Sequence, residues 1–186
     1  LIAYALAKGR QAILLIPEIS LTYQNVIRFY RRFGSRISVL HSRLTQAERY
    51  DQYQRARDGE IDIMIGPRSS LFTPFPNLGL IVVDEEHEES YRSETVPRYV
   101  AREVAQKRAA LEHAAVVLGS ATPSVDAFWQ AEQGMSQLFQ LPSRGNDPRK
   151  DKTEAAVFYG TLYLSVRQVK PKDALLSDVS PEAVAY

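Results

Sequence analysis

The sequence predicts an α/β fold, a doubly wound and mainly parallel sheet with helices on both faces. Three observations carry that expectation. Short apolar runs alternate with helical patterns, as parallel strands joined by crossover helices require. The runs Ala12–Ile16, Leu80–Val83 and Ala114–Leu118 are apolar without a break, which marks strands buried on both faces. Small, polar and turn-forming residues follow these runs, where the ligand crevice of an open α/β sheet lies.

The elements follow in order. Leu1 to Ala7 reads as the end of a helix stopped by Gly9, and Ala12 to Ile16 as a strand ended by Pro17. Val26, Phe29, Tyr30 and Phe33 recur at helical spacing, and Gly34 closes that helix. Ile37 to Leu40 is a second strand. Thr45-Gln46-Ala47-Glu48 has the capping-box pattern, so Thr45 should start a helix that places Tyr50 and Tyr53 on one side and stops near Gly59. Ile61 to Ile65 is a third strand, followed by a stretch rich in turns through Gly66, Pro67, Pro74 and Pro76. After the strand ending at Val83, Pro97 is placed for the first turn of a helix reaching Glu112. Ala114 to Leu118 forms another strand, and Thr122-Pro123 should open a helix holding Phe128 and Trp129. Gly145 to Lys152 is polar and suits a boundary, Val157 to Val166 suits one or two strands, and Ser180-Pro181-Glu182 a short terminal helix.

Bulk properties narrow the function. The 186 residues are 45% apolar and 24% charged, ordinary for a globular protein with one sizeable core. No apolar run approaches the roughly 18 residues that span a bilayer, and no basic segment precedes the apolar start, so no membrane partner or signal peptide is expected. Cysteine is absent, which excludes disulfides and thiolate metal sites. A cytoplasmic protein is the expectation, and the missing initiator Met suggests a fragment. Net charge is +1, but it is unevenly spread. Arg28, Arg31, Arg32, Arg36, Arg43, Arg49, Arg55 and Arg57 face only Glu48 and Asp51 in that interval, whereas Asp84 to Glu94 holds six acids and one arginine. A basic region beside an acidic strand end fits a protein that touches a polyanion and holds a cation. Two solvated helix faces would account for the same charges.

Four segments at strand ends carry candidate chemistry. Asp84-Glu85-Glu86-His87 follows the run Leu80–Val83. Phosphoryl transfer to water needs a metal to neutralise phosphate oxygens and a group to orient the attacking water. Asp84 suits the first task, through a metal-bound water, and Glu85 the second; an acidic loop after a strand is the bland reading. Gly119-Ser120-Ala121-Thr122 offers small residues and two hydroxyls within reach of His87 or Glu85, or simply a helix cap at Thr122. Pro17-Glu18-Ile19-Ser20-Leu21-Thr22 leads into a helix whose N-terminus can grip a phosphate backbone. Gly66-Pro67-Arg68-Ser69-Ser70 offers an arginine and two hydroxyls to backbone phosphates. Each is weak alone.

In combination these segments resemble the first motor lobe of helicase superfamily 2, and within it the primosomal replication-restart DNA helicases with a DEAH-type box. The likeness rests on the four segments together with Leu40-His41-Ser42, Leu71-Phe72-Thr73-Pro74-Phe75, Asn77-Leu78-Gly79, Ser90-Tyr91, Arg98-Tyr99-Val100-Ala101-Arg102 and Leu118 to Pro123. It covers Leu1 to Arg144, so the implied domains are a partial ATP-binding lobe over 1–144 and an unrecognised tail over 145–186. The resemblance implies a RecA-like sheet of the P-loop type and an ATP- and Mg2+-dependent helicase that moves 3′ to 5′ on single-stranded DNA. It would be bacterial and nucleoid-associated, with forked DNA, the primosome and single-strand-binding proteins as partners.

Residue by residue, the resemblance makes Asp84 and Glu85 the Walker B acids, with Asp84 on the magnesium side, and His87 the end of the box. Ser120 and Thr122 become the coupling motif. Pro17, Glu18, Thr22, His41, Ser42, Gly66, Arg68 and Ser69 line the DNA path. Glu88 to Arg102 matches an aromatic and basic loop that senses single strands, in which Tyr91 and Tyr99 stack on bases while Arg92, Arg98 and Arg102 meet phosphates. For Tyr99 the buried side of the following helix is the competing assignment.

Departures matter equally. No Gly-x-x-x-x-Gly-Lys-[Ser/Thr] occurs in the chain, and the strand that carries this loop, the second lobe with its arginine finger and the family's zinc module are not recognised either. Pro67 stands where the family usually has threonine, and Val100 where it often has a polar residue. The chain alone is therefore expected to be inactive, and loss of a strand beside Asp84 to expose apolar sheet edges. Other readings are a different superfamily 2 translocase, a non-catalytic DNA-binding remnant, and a hydrolytic metal site built from Asp84, Glu85, Glu86 and His87. The last suffers because adjacent side chains on a strand point to opposite faces.

Overall fold

A computed structural model describes residues 1–140 and the strand Thr161–Ser165. The expected boundary at Gly145 and the terminal helix at Ser180 lie outside the described residues.

Five parallel strands form the framework: β1 (Gln11–Leu15), β2 (Ile37–Val39), β3 (Ile63–Gly66), β4 (Leu78–Val83) and, later in the chain, β7 (Ala115–Ser120). Between β4 and β7 lies a separate antiparallel ribbon, β5 (Arg92–Ser93) with β6 (Tyr99–Val100). Two more strands, β8 (Gln137–Gln140) and β9 (Thr161–Ser165), extend the main sheet, which runs β2-β3-β1-β4-β7-β9-β8. β9 is antiparallel to both of its neighbours.

The helices are α1 (Ile2–Ala7), α2 (Tyr23–Phe33), α3 (Gln46–Arg57), α4 (Ala101–Glu112) and α5 (Val125–Glu132). They cover both faces. Phe29 and Phe33 of α2 and Ile2 of α1 pack with Leu80 and Val82 on one side, while Ala56 of α3 and Ala101, Ala105 and Ala109 of α4 pack with Ile81 and Val83 on the other. All six residues of β4 are buried, which is why that run shows no polar alternation. Each such aliphatic side chain contributes about 1.5–3 kcal/mol through burial. The expected capping box is present: Thr45 Oγ1 accepts from Glu48 N–H, and Glu48 Oε2 accepts from Thr45 N–H.

Three expectations are corrected. β4 is paired on both sides, by β1 and β7, so the strand carrying Asp84 has no bare edge. The helix after it starts at Ala101 and not at Pro97, because residues 92–100 are committed to the ribbon, in which Arg92 pairs with Val100 and Ser93 with Tyr99. The following helix starts after Ser124, whose hydroxyl accepts from Ala127 N–H; Thr122 N–H is already given to Ser120 Oγ at 3.0 Å.

Candidate functional site

The site is built at the carboxyl ends of β1, β3, β4 and β7. Asp84 leaves β4 with its N–H donated to Leu15 O of β1 at 2.9 Å, so the ladder itself aims it. Glu85 turns the chain with φ of 49°, a left-handed conformation uncommon for a residue with a side chain and a mark of constrained functional backbone. Glu86 N–H then donates to Gly119 O at 3.0 Å, joining the turn to β7.

Asp84 is partly buried and no cation is bonded to it among the described residues. Burial first, then the neighbouring Glu85 charge, push its carboxyl from 3.8 up to about 6. A carboxylate held short of countercharge suits a hard cation bound through one acidic ligand and water, the usual magnesium mode at phosphates. A Cβ at Gly119 would lie 3.8 Å from Asp84 Oδ1, an ordinary contact, so the glycine leaves room there but is not demanded by close packing. No group of three or more His, Cys, Asp or Glu side chains among the described residues could hold a metal, which disposes of the four-ligand site.

His87 joins the two strand ends. Its Nδ1 lies 2.6 Å from Ser120 Oγ and its Nε2 3.5 Å from Thr122 Oγ1, with Glu85 Oε2 3.6 Å from Nδ1. Hence His87 brings Glu85, Ser120 and Thr122 together, with Asp84 next to Glu85 at the end of β4.

The other expected contacts sort by exposure. Glu18 is exposed, and its Oε1 accepts from Ser42 N–H at 2.7 Å. The Ser42 hydroxyl, then its N–H, hold the Glu18 carboxyl below the usual carboxylate range, with His41 and Arg49 adding to this. This bond ties the segment after β1 to the loop after β2. Pro17 is buried, and Thr22 caps α2 by accepting from Asn25 N–H at 3.4 Å. Gly66 has a packing reason: a Cβ there would stand 2.6 Å from Leu40 O. Ser69 O accepts from Tyr53 Oη at 3.1 Å.

Arg68 reaches the ribbon, donating to Ser90 O at 3.0 Å and to Arg92 O. Tyr99 is half-buried against Phe72, edge to face at 5.4 Å between centroids. Arg92 and Arg98 are exposed.

Two residues stand apart from the expected DNA contacts. Tyr91 is 3% exposed and donates its hydroxyl to Asp84 O at 2.7 Å; burial raises its phenol pKa further, and the ring has no open face for a base. Arg102 is also buried, bonded to Ser124 Oγ at 2.7 Å and Asp126 Oδ2 at 3.0 Å, with Glu86 Oε2 at 3.4 Å. Its guanidinium supports the strand ends from inside.

Glu86 entered the sequence expectations only as a ligand of the four-residue metal site, and Ser124 had no role there. The Glu86 carboxylate is fully buried and accepts from Ser124 N–H at 2.7 Å and Ser124 Oγ at 3.0 Å. Ser124-Val125-Asp126 was legible as a hydroxyl cap, but nothing in the sequence singles out the last of the three acids Asp84, Glu85 and Glu86 as the buried one.

A model of the DEAD/DEAH box helicase family matches residues 1–128. Replication restart protein PriA of Bacillus subtilis is 50% identical over 141 residues, 76% of this chain and 18% of that protein. PriA of Chlamydia pneumoniae is 49% identical over 141 residues, 75% and 19% respectively. PriA of Chlamydia trachomatis is 41% identical over 169 residues, 90% of this chain and 22% of the relative. The chain thus spans about a fifth of the length of these relatives. No described helix is long and apolar enough to cross a membrane.

Proposed function

The chain belongs to the DEAD/DEAH box helicase family, and from that premise we propose that it forms part of the first motor lobe of a replication-restart DNA helicase, moving 3′ to 5′ at the expense of ATP. The observation that carries this reading is the Asp84–Glu85 pair at the end of a doubly buried parallel strand, joined through His87 to Ser120 and Thr122 on the next strand.

Bound magnesium nucleotide would supply the phosphoryl group and neutralise its oxygens. With it bound, Asp84 would hold the metal side, and Glu85, turned out by its left-handed backbone, would orient the attacking water. His87 relays the position of this turn to Ser120 and Thr122. The DNA side comprises Glu18, His41, Ser42, Arg68 and Ser69 along the strand ends, with Pro17, Thr22 and the buried Gly66 shaping the turns that carry them. Arg92, Arg98 and Tyr99 on the ribbon meet the single strand, the arginines at phosphates and the tyrosine at a base. Forked DNA, primosome components and single-strand-binding proteins are the partners that this reading assigns to the intact motor.

Binding of the chain to fluorescein-labelled oligo-dT, followed by anisotropy across a salt series, tests the DNA side. Log affinity should fall linearly with log salt, and Arg98→Ala should weaken binding several-fold while lowering the slope by about 0.7, the value for one phosphate contact on a single strand. Binding that ignores salt, or that Arg92→Ala and Arg98→Ala leave untouched, would contradict it.

A further inference from the structure

One buried polar cluster has no place in the chemistry above. Glu86 sits between Glu85 and His87, yet its side chain is 0% exposed and points into the molecule. Its two oxygens take the N–H and the hydroxyl of Ser124, the cap of α5. Arg102, in the first turn of α4, closes the group by bonding Ser124 Oγ, Glu86 Oε2 and Asp126 Oδ2. Arg102 Nε is buried without an acceptor, so the guanidinium gives up one hydrogen bond to make these contacts with its two terminal nitrogens. A buried charge is tolerated only when paired and hydrogen-bonded, and here one ion pair binds three separate segments.

Those segments are the turn after β4, the turn after β7 and the start of α4. The last follows directly on β6, since Val100 ends the strand and Ala101 begins the helix. We propose that Arg102 is a positioning residue, which through Glu86 and Ser124 makes the β5–β6 ribbon mechanically continuous with the turns that carry Glu85, His87, Ser120 and Thr122. Displacing the ribbon at Tyr99 shifts α4, and Arg102 carries that shift to the residue between Glu85 and His87. This deepens the reading of the chain as a DNA-responsive motor and rests on it for its purpose, but the continuity exists without DNA.

Amide hydrogen exchange on the DNA-free chain tests it. Tyr99→Ala removes the edge-to-face contact with Phe72 and should speed exchange of the amides of residues 86–88, Thr122 and Ser124 several-fold while Arg102 is present. In an Arg102→Met background, Tyr99→Ala should add nothing at those residues and still loosen the ribbon itself. Should Arg102→Met fail to fold, Arg102→Lys serves, since one ammonium keeps the charge near Glu86 but cannot bridge all three partners. Propagation from Tyr99 that persists in either folded background would overturn the proposal. So would a loss of oligo-dT affinity on Arg102→Lys as large as that on Arg98→Ala, which would make Arg102 a phosphate contact. Failure of the wild-type chain to bind oligo-dT would instead count against the functional reading and leave the exchange result as the judge of the clamp.

Discussion

Glu86→Ala will destabilise the chain by about 3–5 kcal/mol, the usual cost of breaking a buried ion pair from one side. The loss is one-sided because Arg102 stays buried, with Ser124 Oγ and Asp126 as its remaining partners. Asp126 is 77% exposed at its side chain and compensates little in that high-dielectric position. Ser124 N–H also loses its acceptor at the start of α5. Urea unfolding followed by far-UV circular dichroism will read the change as a lower midpoint at unchanged slope. Glu85→Ala, one residue away and partly exposed, serves as the control and should cost far less. Equal losses for the two would remove Glu86 from its supporting role.

Asp84→Asn will have the opposite sign. Folding raises the Asp84 carboxyl from 3.8 to about 6, so the folded chain binds that proton more tightly than the unfolded chain does. Below pH about 4 both states are protonated and the site costs nothing. Between about 4 and 6 stability falls as pH rises, and above 6 the full penalty, at most about 3 kcal/mol, is present. Asparagine cannot ionise. In metal-free buffer the variant should therefore match the wild type near pH 4 and exceed it near pH 8, with the gap opening between those values. Functional sites commonly cost stability, and an ionised acid without countercharge is one form of that cost. A gap that stays constant with pH would refute the raised carboxyl.

Much of the framework was legible because burial on both faces leaves a plain trace. The apolar runs at Ala12, Leu80 and Ala114 became β1, β4 and β7, and Thr45 caps its helix as the Thr-x-x-Glu pattern requires. The misplaced helix starts have local causes. Pro97 satisfies the rule for a first helical turn, but the pairing of Arg92 with Val100 claims the segment for a ribbon, and such a two-residue strand is too short to show a period. At the site, the meeting of Glu85, His87, Ser120 and Thr122 followed from spacing and resemblance. Tyr91 and Arg102 did not, since an aromatic or arginine beside a strand end reads the same in sequence whether it faces solvent or the core. Their inward bonds, to Asp84 O and to Ser124 and Asp126, are tertiary facts.

Asp84 and Glu85 carry, as a proposal, the role of working carboxylates in a DNA-stimulated motor. The most direct test of that role places this chain's matching 141 residues into the Bacillus subtilis PriA relative in exchange for that protein's own segment, and measures ATP hydrolysis with and without single-stranded DNA. The exchanged protein should hydrolyse ATP faster with DNA, Glu85→Gln should lower the rate by about 100-fold or more, and the 186-residue chain alone should show no hydrolysis. A well-folded Glu85→Gln exchange that retains the full DNA-stimulated rate would contradict that role.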